Sequence, residues 1–380
     1  MFNRLYLHIP FCRHKCPYCA FVSSPGSKSE ISSYVNLLLD ELQFAAHEFT
    51  SCPIDSVYFG GGTPSLLAPS QISLVLEKIG QHFNLIQNPE ITLEANPGTV
   101  NRKQLADLYS AGVNRLSFGV QSFNDRMLKV LGRIHSADQA RDAFSYARSA
   151  GFSNIGIDLI HALPEQTLEM WRNDLQEALF SGPEHLSVYG LTIEEGTPFA
   201  VRFNNEKNLP DNDLASDMFE MADELLTSAG YDHYEIANYA LPDLRSRHNS
   251  GYWRRDGYLG LGLGAHSFIH QGEFGVRFGN PCDPKQYAAS IRSGQIPRCN
   301  TITLSREEAI SEFMFLGLRM AQGVSFADFE SRFGNSLQAM FLPALQKLSR
   351  AGLIIQEQEG IRLTRKGMLL SNQVFSMFLV

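Results

Sequence analysis

The chain has 380 residues, 44% of them apolar and 19% charged, with a formal net charge of −8. That is ample core material for one large domain with an appendage, or for two to three smaller ones. The acidic balance excludes broad nucleic-acid binding by phosphate neutralisation, no apolar run reaches the length of a membrane span, and the opening MFNRLYLHIPFC does not read as a signal peptide.

The first half alternates short β-rich runs with amphipathic stretches. The runs are Arg4–Ile9, Ser56–Phe59, Glu90–Glu94, Arg115–Val120, Asn154–Ile160 and His185–Ile193. Between them lie helical patterns such as PSQISLVLEKIGQHF and ADQARDAFSYARSAG, several ending in Ala-Gly or Ser-Gly, as helix C-termini do. Six strand–helix units predict an α/β fold with a parallel sheet, arranged as an incomplete (β/α)6 barrel. The chemistry-bearing residues fall at the C-terminal ends of the runs. They include GGGTP (Gly60 to Pro64), Glu94-Ala95-Asn96-Pro97, Gln121, Asp158 and Thr192. In a parallel barrel these ends share one rim, where ligands bind.

Residues 204–213 are polar, contain Pro210 and read as a linker. A helix is predicted over LASDMFEMADELLTSAG, then a strand-like YDHYEIANYA, then the segment Arg245 to Tyr258. From Thr301 three helices and a hairpin near Glu359-Gly360 suggest a winged-helix-like module. It carries eight Lys/Arg against seven Asp/Glu between Arg306 and Lys366, so no basic face meets phosphates. The expected organisation is a barrel over 1–204, an extension over 205–300 and the helical module over 301–380.

The first strand runs into CRHKCPYC, which holds Cys12, Cys16 and Cys19, half of the six cysteines in the chain. Thiolates so close together hold a soft metal or a cluster. Three ligands leave a four-coordinate site one short, which is where substrate or chemistry enters. The alternatives are a structural zinc completed by His8 or His14, and a redox pair; the spacing suits neither as well as iron–sulfur ligation. Clustered thiols without an export signal place the chain in the cytoplasm. Three successive glycines after the second strand strip side chains from the rim, so a ligand can approach the main chain and its amide and carbonyl groups. Glu94 and Asp158 suit a polar ligand, or a buried ion pair. Arg133 suits a carboxylate, or lies in solvent. Arg245 to Tyr258 packs four arginines around His248, Tyr252 and Trp253. It reads either as a site for a flat anionic ligand such as a porphyrin or as an interdomain loop with core aromatics.

These residues resemble the radical S-adenosylmethionine (SAM) superfamily: C-x3-C-x2-C with Tyr18 before the third cysteine, followed by GGGTP. HIPFCRHKCPYC, LEANPG, GVQSFN, IDLIHALPEQT, HNSGYW and GLGAHS extend the likeness to the branch of oxygen-independent coproporphyrinogen III oxidase and its haem-chaperone relatives. The resemblance implies a [4Fe–4S] cluster on Cys12, Cys16 and Cys19, with SAM on the fourth iron. Reduction would cleave SAM to methionine and a 5′-deoxyadenosyl radical. It implies SAM contacts at Tyr6, Tyr18, Gly61, Gly62, Thr63, Glu94, Gln121, Arg133, Asp158 and Thr192, and haem contacts at His248, Tyr252 and Trp253. The oxidase pattern has a fourth cysteine where this chain has Phe21, and an N-terminal extension where only eleven residues precede Cys12. HNxxYW marks the chaperone type. Ala20 departs from the aspartate common there. The expected function is haem binding and delivery to an acceptor protein, the alternative being oxidative decarboxylation of coproporphyrinogen III. The implied partners are that acceptor and an electron donor such as flavodoxin or ferredoxin, with peripheral membrane contact and a homodimer left open.

Overall fold

The computed structural model describes residues 1–49, 53–203 and 209–380; Cys52 and the first half of the expected linker lie outside them. Six parallel strands form the centre of one sheet: β1 (Arg4–Ile9), β2 (Pro53–Gly61), β3 (Asn84–Ala95), β4 (Arg115–Gln121), β5 (Ile155–His161) and β6 (His185–Gly190). Each pairs in parallel with the next. Helices α1 (Lys28–Phe49), α2 (Pro69–His82), α3 (Arg102–Ser110), α4 (Ala137–Ala150) and α5 (Leu168–Ser181) return the chain between strands. Their ends follow local chemistry. Asn101, Ser136 and Thr167 each accept an amide at the N-terminus, and α4 and α5 stop on Gly151 and Gly182.

The sheet is larger than six strands. A hairpin of β7 (Asp232–Glu235) and β8 (Asn238–Ala240) pairs antiparallel with β6, and β9 (Leu259–Leu261) adds in parallel to β1. The order is β9-β1-β2-β3-β4-β5-β6-β8-β7, so the two edges are not bonded to each other and the barrel is open. The run expected to reach Ile193 ends as a strand at Gly190. The start of the GLGLGAHS segment supplies the edge strand β9.

Side chains alternate along the strands with unusual consistency. Leu5, Leu7 and Ile9, Val57 and Phe59, Leu116 and Phe118, Ile157 and Leu159, and Leu186 and Val188 belong to the core shared with the helices. The opposite face carries polar residues, among them Ser56, Thr92, Arg115, Ser117, His185 and Ser187, all buried. The interior of this barrel is therefore polar. A second core, from Ala309 to Phe378, organises the C-terminal helices around a small antiparallel sheet of Val324–Ser325, Ile354–Gln356 and Gly360–Leu363. Among the described residues no helix is long and apolar enough to cross a membrane.

Candidate functional site

A cavity of about 350 Å³ opens at the C-terminal rim. Cys12, Cys16, Tyr18, Cys19, Gly61, Gly62, Thr63, Glu94, Gln121, Arg133, Asp158 and Tyr189 all line it, so residues of six strands and the loops after them converge. The cysteine loop is clamped at its base, where Phe11 and Cys12 pair with Ser24 and Pro25. On the far side the Phe199 amide donates to the Pro17 carbonyl at 3.0 Å. All three thiols are free and partly exposed. Arg133 Nη1 donates to Cys16 Sγ at 3.6 Å, and Thr63 Oγ1 to Cys12 Sγ at 3.5 Å. Burial pushes the Cys19 thiol up.

The glycine run lines the cavity, and three of its amides are committed internally: Gly61 to Glu94 Oε2 at 3.1 Å, Gly62 to the Ile9 carbonyl at 2.9 Å and Thr63 to the Phe11 carbonyl at 2.7 Å. These bonds seat the cysteine loop. A Cβ on Gly62 would lie 2.6 Å from the Phe11 carbonyl oxygen, so only glycine lets the two segments approach.

Polar groups on the cavity wall are poised and partly unpaired. Gln121 takes φ +72, a left-handed conformation costly for a residue with a side chain. Its Oε1 is buried without a partner among the described residues, as is Arg133 Nε. Arg133 Nη2 donates to the Gly119 carbonyl, and a Cβ on Gly119 would come within 2.9 Å of Gln121 Nε2. Glu94 accepts from Tyr58 OH at 2.8 Å; burial pushes its carboxyl up to about 7, and the nearby Asp158 adds to the shift. Burial also raises Asp158, against the hydrogen bonds it accepts from Ser117 and Ser187. Below them Arg115 is buried, with Nε and Nη1 unpartnered among the described residues.

Two expected contacts fall elsewhere. Thr192 is exposed beyond the end of β6; Tyr189, on that strand, lines the cavity instead. Tyr6 lies inside the barrel, its hydroxyl 3.1 Å from His8 Nδ1, and lines a different cavity. Sequence reasoning missed Tyr58, Ser117 and Arg115. Their signal is present as polar residues at alternate positions of strands that, covered on both faces, would otherwise be apolar throughout.

HNSGYW forms a short helix, α7 (Arg247–Trp253), against the barrel strands. The Arg247 and His248 amides donate to the Glu90 carboxylate at 2.9 and 3.0 Å. His248 is fully buried. Its Nδ1 bonds Ser56 Oγ at 2.9 Å and its Nε2 bonds Tyr252 OH at 2.7 Å. Burial, with Arg4 and Arg115 nearby, holds the imidazole neutral. Both ring nitrogens are thus used within the barrel, where His248, expected as a haem contact, serves as an internal anchor. Tyr252 and Trp253 do line a cavity. The surrounding arginines are paired, Arg245 with Asp232, Arg254 with Asp256 and Arg255 with Glu312.

Comparison with known proteins agrees with this architecture. Residues 6–178 match the radical SAM superfamily and residues 304–370 the HemN C-terminal domain. The chain is 36% identical to the haem chaperone HemW of Lactococcus lactis, covering 100% of this chain and 97% of that protein. It is 36% identical to HemW of Bacillus subtilis, with 98% of each covered, and 44% identical to HemW of Escherichia coli over 70% of each. Among solved structures it resembles the coproporphyrinogen III oxidase HemN of Escherichia coli, a radical SAM enzyme. That match has a TM-score of 0.87 at 26% identity and covers 100% of this chain and 90% of that one. On its polar barrel, three-thiol rim and full-length likeness, the chain belongs to the HemW family of the radical SAM superfamily.

Proposed function

We propose that this chain is a cytoplasmic haem chaperone, which binds haem and passes it to an acceptor protein, and that a SAM-liganded [4Fe–4S] cluster at the rim conditions that transfer. The observation that carries the cluster is the arrangement of three free thiols on one cavity wall, with Arg133 and Thr63 directed at two of the sulfurs. The donor set fits: soft thiolates for iron, and cationic and hydroxyl donors that stabilise their charge. The unpaired Gln121 Oε1 and Arg133 Nε are groups awaiting a polar ligand. When bound, the cluster supplies an open iron site that SAM completes and an electron carrier such as flavodoxin or ferredoxin reduces. The chain's own residues do the holding. Arg133 offers a guanidinium to a carboxylate, Asp158 and Glu94 face an ammonium or hydroxyls, and Gly62 fixes the loop that presents the sulfurs.

The chaperone reading rests on likeness to HemW proteins over the full chain and on Phe21 standing where the oxidase type has a fourth cysteine. The test is a paired anaerobic assay on cluster-loaded protein. Haem should bind and move to an apo-haemoprotein acceptor, while coproporphyrinogen III with SAM and reductant yields no protoporphyrinogen. Protoporphyrinogen formation, or failure to bind haem, overturns the proposal.

A further inference from the structure

A second cavity, of about 460 Å³, adjoins the cysteine loop on the side away from β4 to β6. Its size suits a cofactor cleft. Its walls are rings: Tyr252 and Trp253 from α7, Tyr258 and Phe21. Phe21 also lines the rim cavity and is 64% exposed, so it stands between the two. Arg277 enters from the extension. Its Nε is held by Glu312 and its Nη1 by Tyr258 OH at 3.4 Å, and the side chain remains about one-third exposed.

One further lining residue has no structural duty that the fold explains. His266 begins the strand His266–Ile269, is exposed, and neither ring nitrogen has a hydrogen-bond partner among the described residues. This is the reverse of His248, whose ring is spent inside the barrel. An imidazole whose ring nitrogens make no hydrogen bond among the described residues, set among aromatic faces beside a cation, has the chemistry to take a flat, anionic, iron-bearing ligand. The imidazole coordinates iron, the rings stack on the macrocycle, and the guanidinium meets a propionate.

We propose that haem docks in this aromatic cavity, with His266 as an axial ligand of its iron and Arg277 against a propionate. The inference rests on the chaperone reading above and gives it a location. It places haem against Phe21, next to the loop that carries the cluster cysteines, so cluster loading and haem occupancy share one wall.

The experiment titrates ferric haem into the purified, cluster-loaded full chain and reads ligation by electron paramagnetic resonance and resonance Raman spectroscopy. Wild-type protein should show histidine-ligated haem. In His266→Ala, affinity should fall at least about tenfold, the lower end of what losing even a supporting partner of a metal ligand costs. The histidine signature should disappear and return with added imidazole. His266→Met should bind haem with an altered axial-ligand spectrum. Because His266 is exposed, both variants keep the fold, which circular dichroism checks. If wild type and His266→Ala bind haem with equal affinity and the same spectrum, the site is wrong while the chaperone reading stands. If wild type binds no haem at all, both fall.

Discussion

The environment of His248 makes a quantitative prediction that separates an anchor from a ligand. His248→Ala removes the bonds to Ser56 at 2.9 Å and Tyr252 at 2.7 Å, about 1 kcal/mol each in net terms. Ser56 is fully buried, and its hydroxyl would lose a partner, about another 1 kcal/mol. The vacated ring position lies 5.0 Å from the ring centres of both Tyr58 and Tyr252, and the void there adds about 1–2 kcal/mol. The expected loss is therefore about 4 kcal/mol, read as a lowered urea midpoint by far-ultraviolet circular dichroism. Ser56→Ala and Tyr252→Phe should each lose about 1 kcal/mol and show reduced effects in the His248→Ala background. An exposed ligand histidine would shift stability by only about 0.5 kcal/mol. A loss under about 1 kcal/mol would therefore refute the anchor assignment. Haem affinity, measured well below the midpoint, should suffer less in His248→Asn than in His266→Ala.

Other expectations follow from the same geometry. Serine substitution of Cys12, Cys16 or Cys19 should each abolish the brown cluster absorbance after reconstitution, whereas Cys282→Ser and Cys299→Ser should retain it; retention in any of the first three removes that residue from the ligand set. Glu94 holds a proton up to about pH 7 in the free protein, because burial and Asp158 outweigh Tyr58, the Gly61 amide and Arg115. A cationic group of SAM needs the ionised form, so SAM affinity by calorimetry should rise as pH goes from 6 to 8, by up to about tenfold per unit below the pKa, and Glu94→Gln should flatten the profile. By the same sign, the free protein loses stability from Glu94 as pH rises from about 4.3 to about 7. Gly62→Ala should reduce iron per chain on reconstitution, since its Cβ meets the Phe11 backbone at 2.6 Å; normal iron content would show that the loop yields. Arg255→Ala strands Glu312, at 12% side-chain exposure, opposite Arg277 alone. It should lower the thermal midpoint by the equivalent of about 2 kcal/mol, the loss of one charge-assisted hydrogen bond, and an unchanged melt would remove that pair from the contacts holding the C-terminal helices to the barrel.

Much of this was legible in the sequence, for identifiable reasons. Strands covered on one side by helices must carry apolar residues at every second position, and the runs from Arg4, Arg115 and His185 do so. The rim residues were legible because parallel strands place all their C-terminal ends on one side. One short element was not. Leu259–Leu261 carries three residues, too few for a period to register, and only pairing with β1 makes it a strand. The strand-like YDHYEIANYA was legible, but its division into the hairpin of β7 and β8 was not. Thr192 was misplaced because TIEE continues an apolar run in composition, whereas the ladder to β5 ends at Gly190. The burial of His248 was not legible for a related reason. Burial depends on what packs across the barrel, here Ser56 and Glu90 far away in sequence, and no local pattern encodes it.

The polar barrel interior explains why these two histidines differ so sharply within one extension. An apolar lumen could not accept α7, because the Arg247 and His248 amides at its start would be buried unpaired. Glu90 on β3 accepts both, and Ser56 on β2 is hydrogen-bonded to the ring, so the helix locks in place only against polar strand faces. Tyr58 then lies between that helix and the rim, its ring 5.0 Å from His248 and its hydroxyl on Glu94. On β1, His8 runs a parallel connection, from Tyr6 OH to the Val22 carbonyl of the cysteine loop at 2.8 Å. The same α7 that fills the barrel presents Tyr252 and Trp253 outward to the second cavity. A change in the proposed SAM occupancy at Glu94 would thus have a short route, through the hydrogen bond to Tyr58 and the ring contact of Tyr58 with His248, to the wall of the proposed haem cavity. The prediction particular to that route is that Tyr58→Phe, which cuts it at one hydroxyl, should reduce the effect of SAM on haem affinity while leaving haem affinity without SAM near the wild-type value. Equal SAM effects in both proteins would show that the two cavities communicate through Phe21 and the cysteine loop instead.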